Sequence, residues 1–134
     1  MKRTMKVFCF GNPDMVEDSI ALELADELNE SKDLEGFEFV KCRGPDFLLN
    51  LSDEELEDII ILDAVKGLKK IEVIEDLNKF KRTKTTTMHD FDLGTVLKLM
   101  KKTGQLKDVK IIGIPQEQDK KEAVKTIIRL LKKS

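Results

Sequence analysis

The chain has 134 residues, enough for one domain with a core of its own. Charged residues make up 37% of it, yet acidic and basic side chains nearly cancel at a formal net charge of −2. This balance excludes an electrostatic nucleic-acid binder, which needs a basic excess or stripe. The basic clusters from Lys98 to Lys107 and from Lys120 to Lys133 are interleaved with apolar residues at helical spacing and read as solvated helix faces. Only about five apolar residues precede Gly11, too few for a signal segment, and no window approaches the ~18 of a membrane span. The expectation is a single cytoplasmic domain over residues 1–134, with neither membrane nor nucleic acid as partner. Cys9 and Cys42 lack the close pairing of a zinc knuckle or redox motif and are expected to be buried, reduced thiols.

In chain order, Val7 to Phe10 is a short apolar run that reads as a strand buried on both faces, broken by Gly11-Asn12-Pro13-Asp14. A helix is predicted from Met15 to Glu30, since Val16, Ile20, Leu24 and Leu28 fall at steps of four beside Ala21 and Ala25. Asp14 is its expected N-cap, and Glu17 and Asp18 suit the positive end of the helix dipole. Phe37 to Cys42 reads as a second strand, ending at Arg43-Gly44-Pro45, and Asp46 to Leu51 as a short helix. Ser52-Asp53-Glu54-Glu55 leads into Asp58 to Leu62, where four consecutive bulky aliphatics indicate the middle of a parallel sheet. Asp63 follows at once, a position that a turn-capping aspartate would also take.

Ile71 to Ile74 alternates as a fourth strand. It follows the third too closely for a helical crossover, so an antiparallel pair with strand three at a sheet edge is expected. The polar stretch from Asn78 to Met88 has no period and reads as a surface loop. It ends at His89, the single histidine, just before a helix marked by Leu93, Val96, Leu97 and Met100 with Asp90 or Asp92 as cap. A position ahead of a helix N-terminus disfavours the protonated imidazole and suits a metal ligand or general base. Gly104 closes this helix, Val109 to Ile114 makes a fifth buried strand, and Asp119 to Lys132 a last amphipathic helix. The order β-α-β-α-β-β-α-β-α predicts an α/β fold, a three-layer α/β/α arrangement with a mostly parallel five-stranded twisted sheet and one antiparallel edge strand.

In such a sheet ligands bind beyond the carboxyl ends of the strands. Asp18, Asp63 and His89 are all expected on that rim. Two carboxylates and an imidazole suit a divalent transition metal such as nickel or zinc, and equally a pair of acids with a base. Residue types alone leave both open. No serine or cysteine nucleophile stands beside a histidine in a recognisable motif, and the first turn carries one glycine rather than a phosphate-binding loop.

At these residues the chain resembles a known family. Gly11-Asn12-Pro13-Asp14-Met15-Val16-Glu17-Asp18 is similar to the Gly-Asn loop and acidic pair of the nickel-iron hydrogenase maturation endopeptidases. Ile60-Ile61-Leu62-Asp63-Ala64 resembles their hydrophobic strand ending in Asp-Ala, and the residues from Thr87 to Leu93 their histidine-bearing helix entry. Gly104, Val109 to Ile114, Pro115 and Glu117 continue the resemblance in order. It implies an α/β/α endopeptidase that removes the C-terminal extension of the hydrogenase large-subunit precursor once nickel is in place. It also implies catalytic and nickel-contacting roles for Asp18, Asp63 and His89, and substrate-binding roles for Gly11, Asn12 and Gly44. The nickel is then supplied by the substrate, with no organic cofactor, in a hydrolase of aspartic or metallopeptidase character.

The chain departs from the family at Cys42-Arg43-Gly44-Pro45, where many members show Asp-Gly-Gly-Thr and only Gly44 fits. Met88 replaces a proline and Ala21 a helix glycine. The alternative these departures keep is a non-catalytic accessory subunit or nickel-centre chaperone of the same fold. An unrelated flavodoxin-like binder is a third reading.

Overall fold

The computed structural model describes residues 5–11, 19–42, 45–65, 67–78 and 88–132. Five strands form one sheet: β1 (Met5–Phe10), β2 (Phe37–Cys42), β3 (Asp58–Ala64), β4 (Glu72–Ile74) and β5 (Asp108–Ile114). Their spatial order is β2-β1-β3-β5-β4, with every pairing parallel except β4 with β5. Three α-helices accompany them: α1 (Ile20–Asn29), α2 (Met88–Lys102) and α3 (Lys120–Lys132). This is the predicted mostly parallel five-stranded sheet with one antiparallel edge strand.

Period-two alternation splits the apolar residues between two layers. Val7 and Cys9 of β1, Leu62 of β3, and Ile112 and Ile114 of β5 pack with Leu24 and Leu28 of α1 and Ile127 and Leu131 of α3. Phe8, Phe10, Ile59, Ile61 and Ile111 face the other way, against Leu93 and Leu97 of α2 and Leu48 of the 3₁₀ helix Pro45–Asn50. On α1 the buried residues Ile20, Ala21, Leu24, Ala25 and Leu28 follow the helical period that the sequence shows. Gly104, at φ +83°, terminates α2, where its N–H donates to Lys101 O and those of Gln105 and Leu106 to Met100 O. None of the described helices is long and apolar enough to cross a membrane.

The helix ends refine the reading. Ser19 is the N-cap of α1 as described: Glu23 N donates to Ser19 O at 3.0 Å, and Ser19 Oγ to Glu23 Oε2 at 3.3 Å, while Asp14, the expected cap, lies outside the described residues. Helix α2 starts at Met88, so His89, Asp90 and Asp92 lie inside its first turns and neither aspartate is the cap. The short helix near Asp46 is 3₁₀.

The fourth strand is an antiparallel edge as expected, but its partner is β5 rather than β3. The reason is that β5, seven residues long and buried through its second half, needs a neighbour on both sides. It pairs with β3 along its full length from Asp58↔Asp108 to Ala64↔Ile114, and the three-residue β4 covers its far side. The bond from Val65 N to Ile114 O, 2.8 Å, carries the chain from β3 toward β5.

Candidate active site

All the parallel strands end at one edge, and one register row crosses the whole sheet there. Cys42 of β2 pairs with Phe10 of β1, Phe10 with Asp63 of β3, Asp63 with Gly113 of β5, and Gly113 with Glu72 of β4. Asp63 is the penultimate residue of β3 rather than the residue after it, and it is 0% exposed. It is the one charged side chain that is fully buried among the described residues. Because Ile61 faces the α2 layer and Leu62 the opposite one, Asp63 returns to the α2 layer. A carboxylate excluded from water is costly to bury and interacts with a nearby cation far more strongly than an exposed one. Its place at the carboxyl edge of the parallel strands makes Asp63 a candidate site residue.

The helices bring their N-termini to the same edge. Helix α2 lies between β4 and β5, and its C-terminal end is at the amino edge, where Lys107 N donates to Leu56 O ahead of β3. Fifteen residues at about 1.5 Å each span the length of the seven-residue strands, so the first turn of α2, with His89, lies at the carboxyl edge. That turn is on the same layer that Asp63 faces. Helix α1 runs the same way: Asn29, at its far end, donates through Nδ2 to Phe39 O and accepts from Phe39 N near the start of β2. Its N-cap Ser19 is therefore at the carboxyl edge too. Gly11 is buried at the end of β1, where its N–H donates to Cys42 O at 3.2 Å.

Asp63, Gly11 and the first turn of α2 thus share one edge, and the side chain of His89 lies outside the described ones. Asp18, Asn12 and Gly44 lie outside the described residues. Among the described residues no group of three His, Cys, Asp or Glu side chains is arranged to hold a metal ion. Clefts among the described residues open at the opposite, amino edge, such as one of about 320 Å³ beside Met5, Glu54 and Glu57 and one of about 370 Å³ beside Asp76, Lys98 and Lys102.

The thiols do not supply a nucleophile. Cys9 and Cys42 are free, buried and on opposite faces of the sheet. Burial pushes the Cys42 thiol up to about 11 and that of Cys9 well above its ordinary range, so both are protonated at neutral pH.

Sequence reading alone missed Phe10 and Gly113 as neighbours of Asp63. Gly113 carried a signal: a glycine inside the apolar run of Ile111, Ile112 and Ile114 marks a close approach by another part of the chain.

The fold recurs in solved structures. HybD from E. coli, a hydrogenase maturating endopeptidase, superposes with a TM-score of 0.69 at 17% identity, over 96% of this chain and 89% of its own. HybD from Thermococcus kodakarensis, a [NiFe] hydrogenase maturation protease, gives 0.66 at 22% identity over 98% and 97%. The [NiFe] hydrogenase maturation protease HycI from Thermococcus kodakarensis KOD1 gives 0.62 at 20% over 96% and 90%. At such identities the likeness is one of fold. No curated protein matches the sequence. The hydrogenase maturation protease family model matches residues 42–133, a span holding Asp63, His89 and Gly113, and favours a protease over a non-catalytic accessory subunit. With the sheet order, the buried aspartate at the carboxyl edge and this match in agreement, the chain belongs to the hydrogenase maturation protease family.

Proposed function

We propose that the chain is the endopeptidase that removes the C-terminal extension of a nickel-loaded nickel-iron hydrogenase large-subunit precursor. The observation that carries this reading is Asp63, a fully buried carboxylate at the functional edge of the sheet and within the matched span. Carboxylate and imidazole are suitable donors for nickel, and the reading gives Asp18, Asp63 and His89 the task of grasping the nickel that arrives in the substrate. Gly11, Asn12 and Gly44 would then line the path of the peptide. Holding the metal centre fixes the scissile bond against the rim, and one of the carboxylates takes the proton of the attacking water. No organic cofactor takes part. The reaction is assigned to the cytoplasm, in keeping with two buried free thiols.

The test is incubation with the nickel-loaded precursor followed by mass measurement. Shortening of the precursor by wild-type protein supports the reading, and co-elution without cleavage overturns it. His89→Ala should weaken binding of the loaded precursor by about tenfold while sparing the unloaded form. Equal affinity of wild type and His89→Ala for the loaded precursor would remove the histidine from the metal-contacting set.

A further inference from the structure

Gly113 stands beside Asp63 in the β3–β5 register. Ile111 belongs to the α2 layer and Ile112 to the opposite one, so a side chain at 113 would project into the α2 layer, as Asp63 does. That space is already occupied. A Cβ at 113 would lie 2.8 Å from Leu68 Cδ1, 3.2 Å from Val65 Cγ2 and 3.4 Å from Ile74 Cδ1. Leu68 and Val65 belong to the connection between β3 and β4, which has sunk onto β5 where a side chain is missing. The neighbouring strand is about 4.8 Å away, so this aliphatic plug packs at the sheet position next to Asp63 on one side. The buried Phe10 borders it on the other.

We propose that Gly113 is a positioning residue for the peptidase: its missing side chain admits Leu68 and Val65 beside Asp63, and that plug holds the carboxylate in its working orientation. The inference rests on the catalytic reading of Asp63. Gly113 itself touches no substrate. Its effect passes through Leu68, whose end is the nearest atom to the absent Cβ.

The experiment compares Gly113→Ala, Leu68→Ala and the double variant in cleavage of the nickel-loaded precursor. Rates are normalised to the folded fraction from thermal unfolding. Wild type and Asp63→Asn serve as controls. A methyl at 113 and the end of Leu68 compete for one volume, so in the double variant shortening Leu68 removes the clash and the new methyl fills part of the space left behind. Each single should lower kcat by about tenfold with KM within about twofold, because a small misplacement of a reacting group costs rate rather than affinity. The double should exceed both singles.

A wild-type rate for either single, or a double no faster than the slower single, overturns the proposal. If Gly113→Ala does not fold, the double is compared with Leu68→Ala, and a faster double supports the proposal. A double that also fails to fold overturns it, since shortening Leu68 would then not relieve the clash. Wild-type protein that leaves the precursor whole would instead refute the peptidase reading.

Discussion

The two edges of the sheet are built differently. The amino edge is tied down by local hydrogen bonds: Met5 N to Gly36 O, Asn29 Nδ2 to Phe39 O, Phe39 N to Asn29 Oδ1, and Lys107 N to Leu56 O. A capping box joins Ser52 and Glu55, whose backbone N–H groups each donate to the other's side chain at 3.0 and 3.2 Å. Lys6 Nζ reaches Glu55 Oε2 at 3.0 Å and links the start of β1 to the segment ahead of β3. The carboxyl edge instead holds a buried carboxylate in a row with a glycine, a thiol and an aromatic ring. One edge spends its polar groups on closing the fold, and the other buries an acidic side chain.

Substitutions at the two edges should therefore separate activity from stability. The largest effect is expected at Asp63. Asp63→Asn keeps the shape and removes the charge, and should lower precursor cleavage by about 10²–10⁴-fold, the usual worth of a positioned acid or base. Asp63 is a core position rather than a rim one, so its melting temperature must be recorded alongside the rate. Cleavage at the wild-type rate would dissolve the contrast between the edges.

Leu24→Ala, in the layer between α1 and the sheet, should cost about 2–5 kcal/mol in denaturant unfolding, by lost transfer energy and the cavity left behind. The rate per folded molecule should be unchanged. Asn29→Ala removes both bonds to Phe39 at the amino edge and should cost about 1–3 kcal/mol, again without loss of rate. A drop in cleavage beyond the loss of folded protein would show that the edges are coupled.

The smallest effect belongs to Glu55. The backbone N–H of Ser52, and then the Lys6 ammonium, hold its carboxyl below the usual range. A depressed folded value means that the contribution is present above the ordinary carboxylate range and is lost as pH falls through the folded value. Glu55→Gln should melt roughly 1–2 °C lower than wild type at pH 7, and the gap should close in acid. A gap that persists below the carboxylate range would assign the effect to packing.

Much of this was legible in the residues. The second strand begins and ends where its apolar alternation does, the third starts at Asp58 as read and runs two residues further to Ala64, and the fifth starts one residue earlier than read. The α1 stripe of Ile20, Leu24 and Leu28 is buried, and in the α3 stripe Ile127 and Leu131 are buried with Val124 and Ile128 partly so. Asp63 stood out because it follows four aliphatics without a break. The partner of the fourth strand was not legible, because pairing between strands distant in sequence depends on which buried strand still lacks a neighbour. The start of α2 was also misread: aspartates favour a cap and a first turn alike, and residue type does not tell the two apart.

The amino-acid sequence by itself determined the alternation of strands and helices, the apolar face of each and the family resemblance, because periodicity and short motifs are local properties. Only the tertiary structure decided that β4 lies outside β5, that Asp63 is sealed from water, and that Gly113 makes room beside it. Those are facts of packing, set by which side chains from separate parts of the chain fill the same volume.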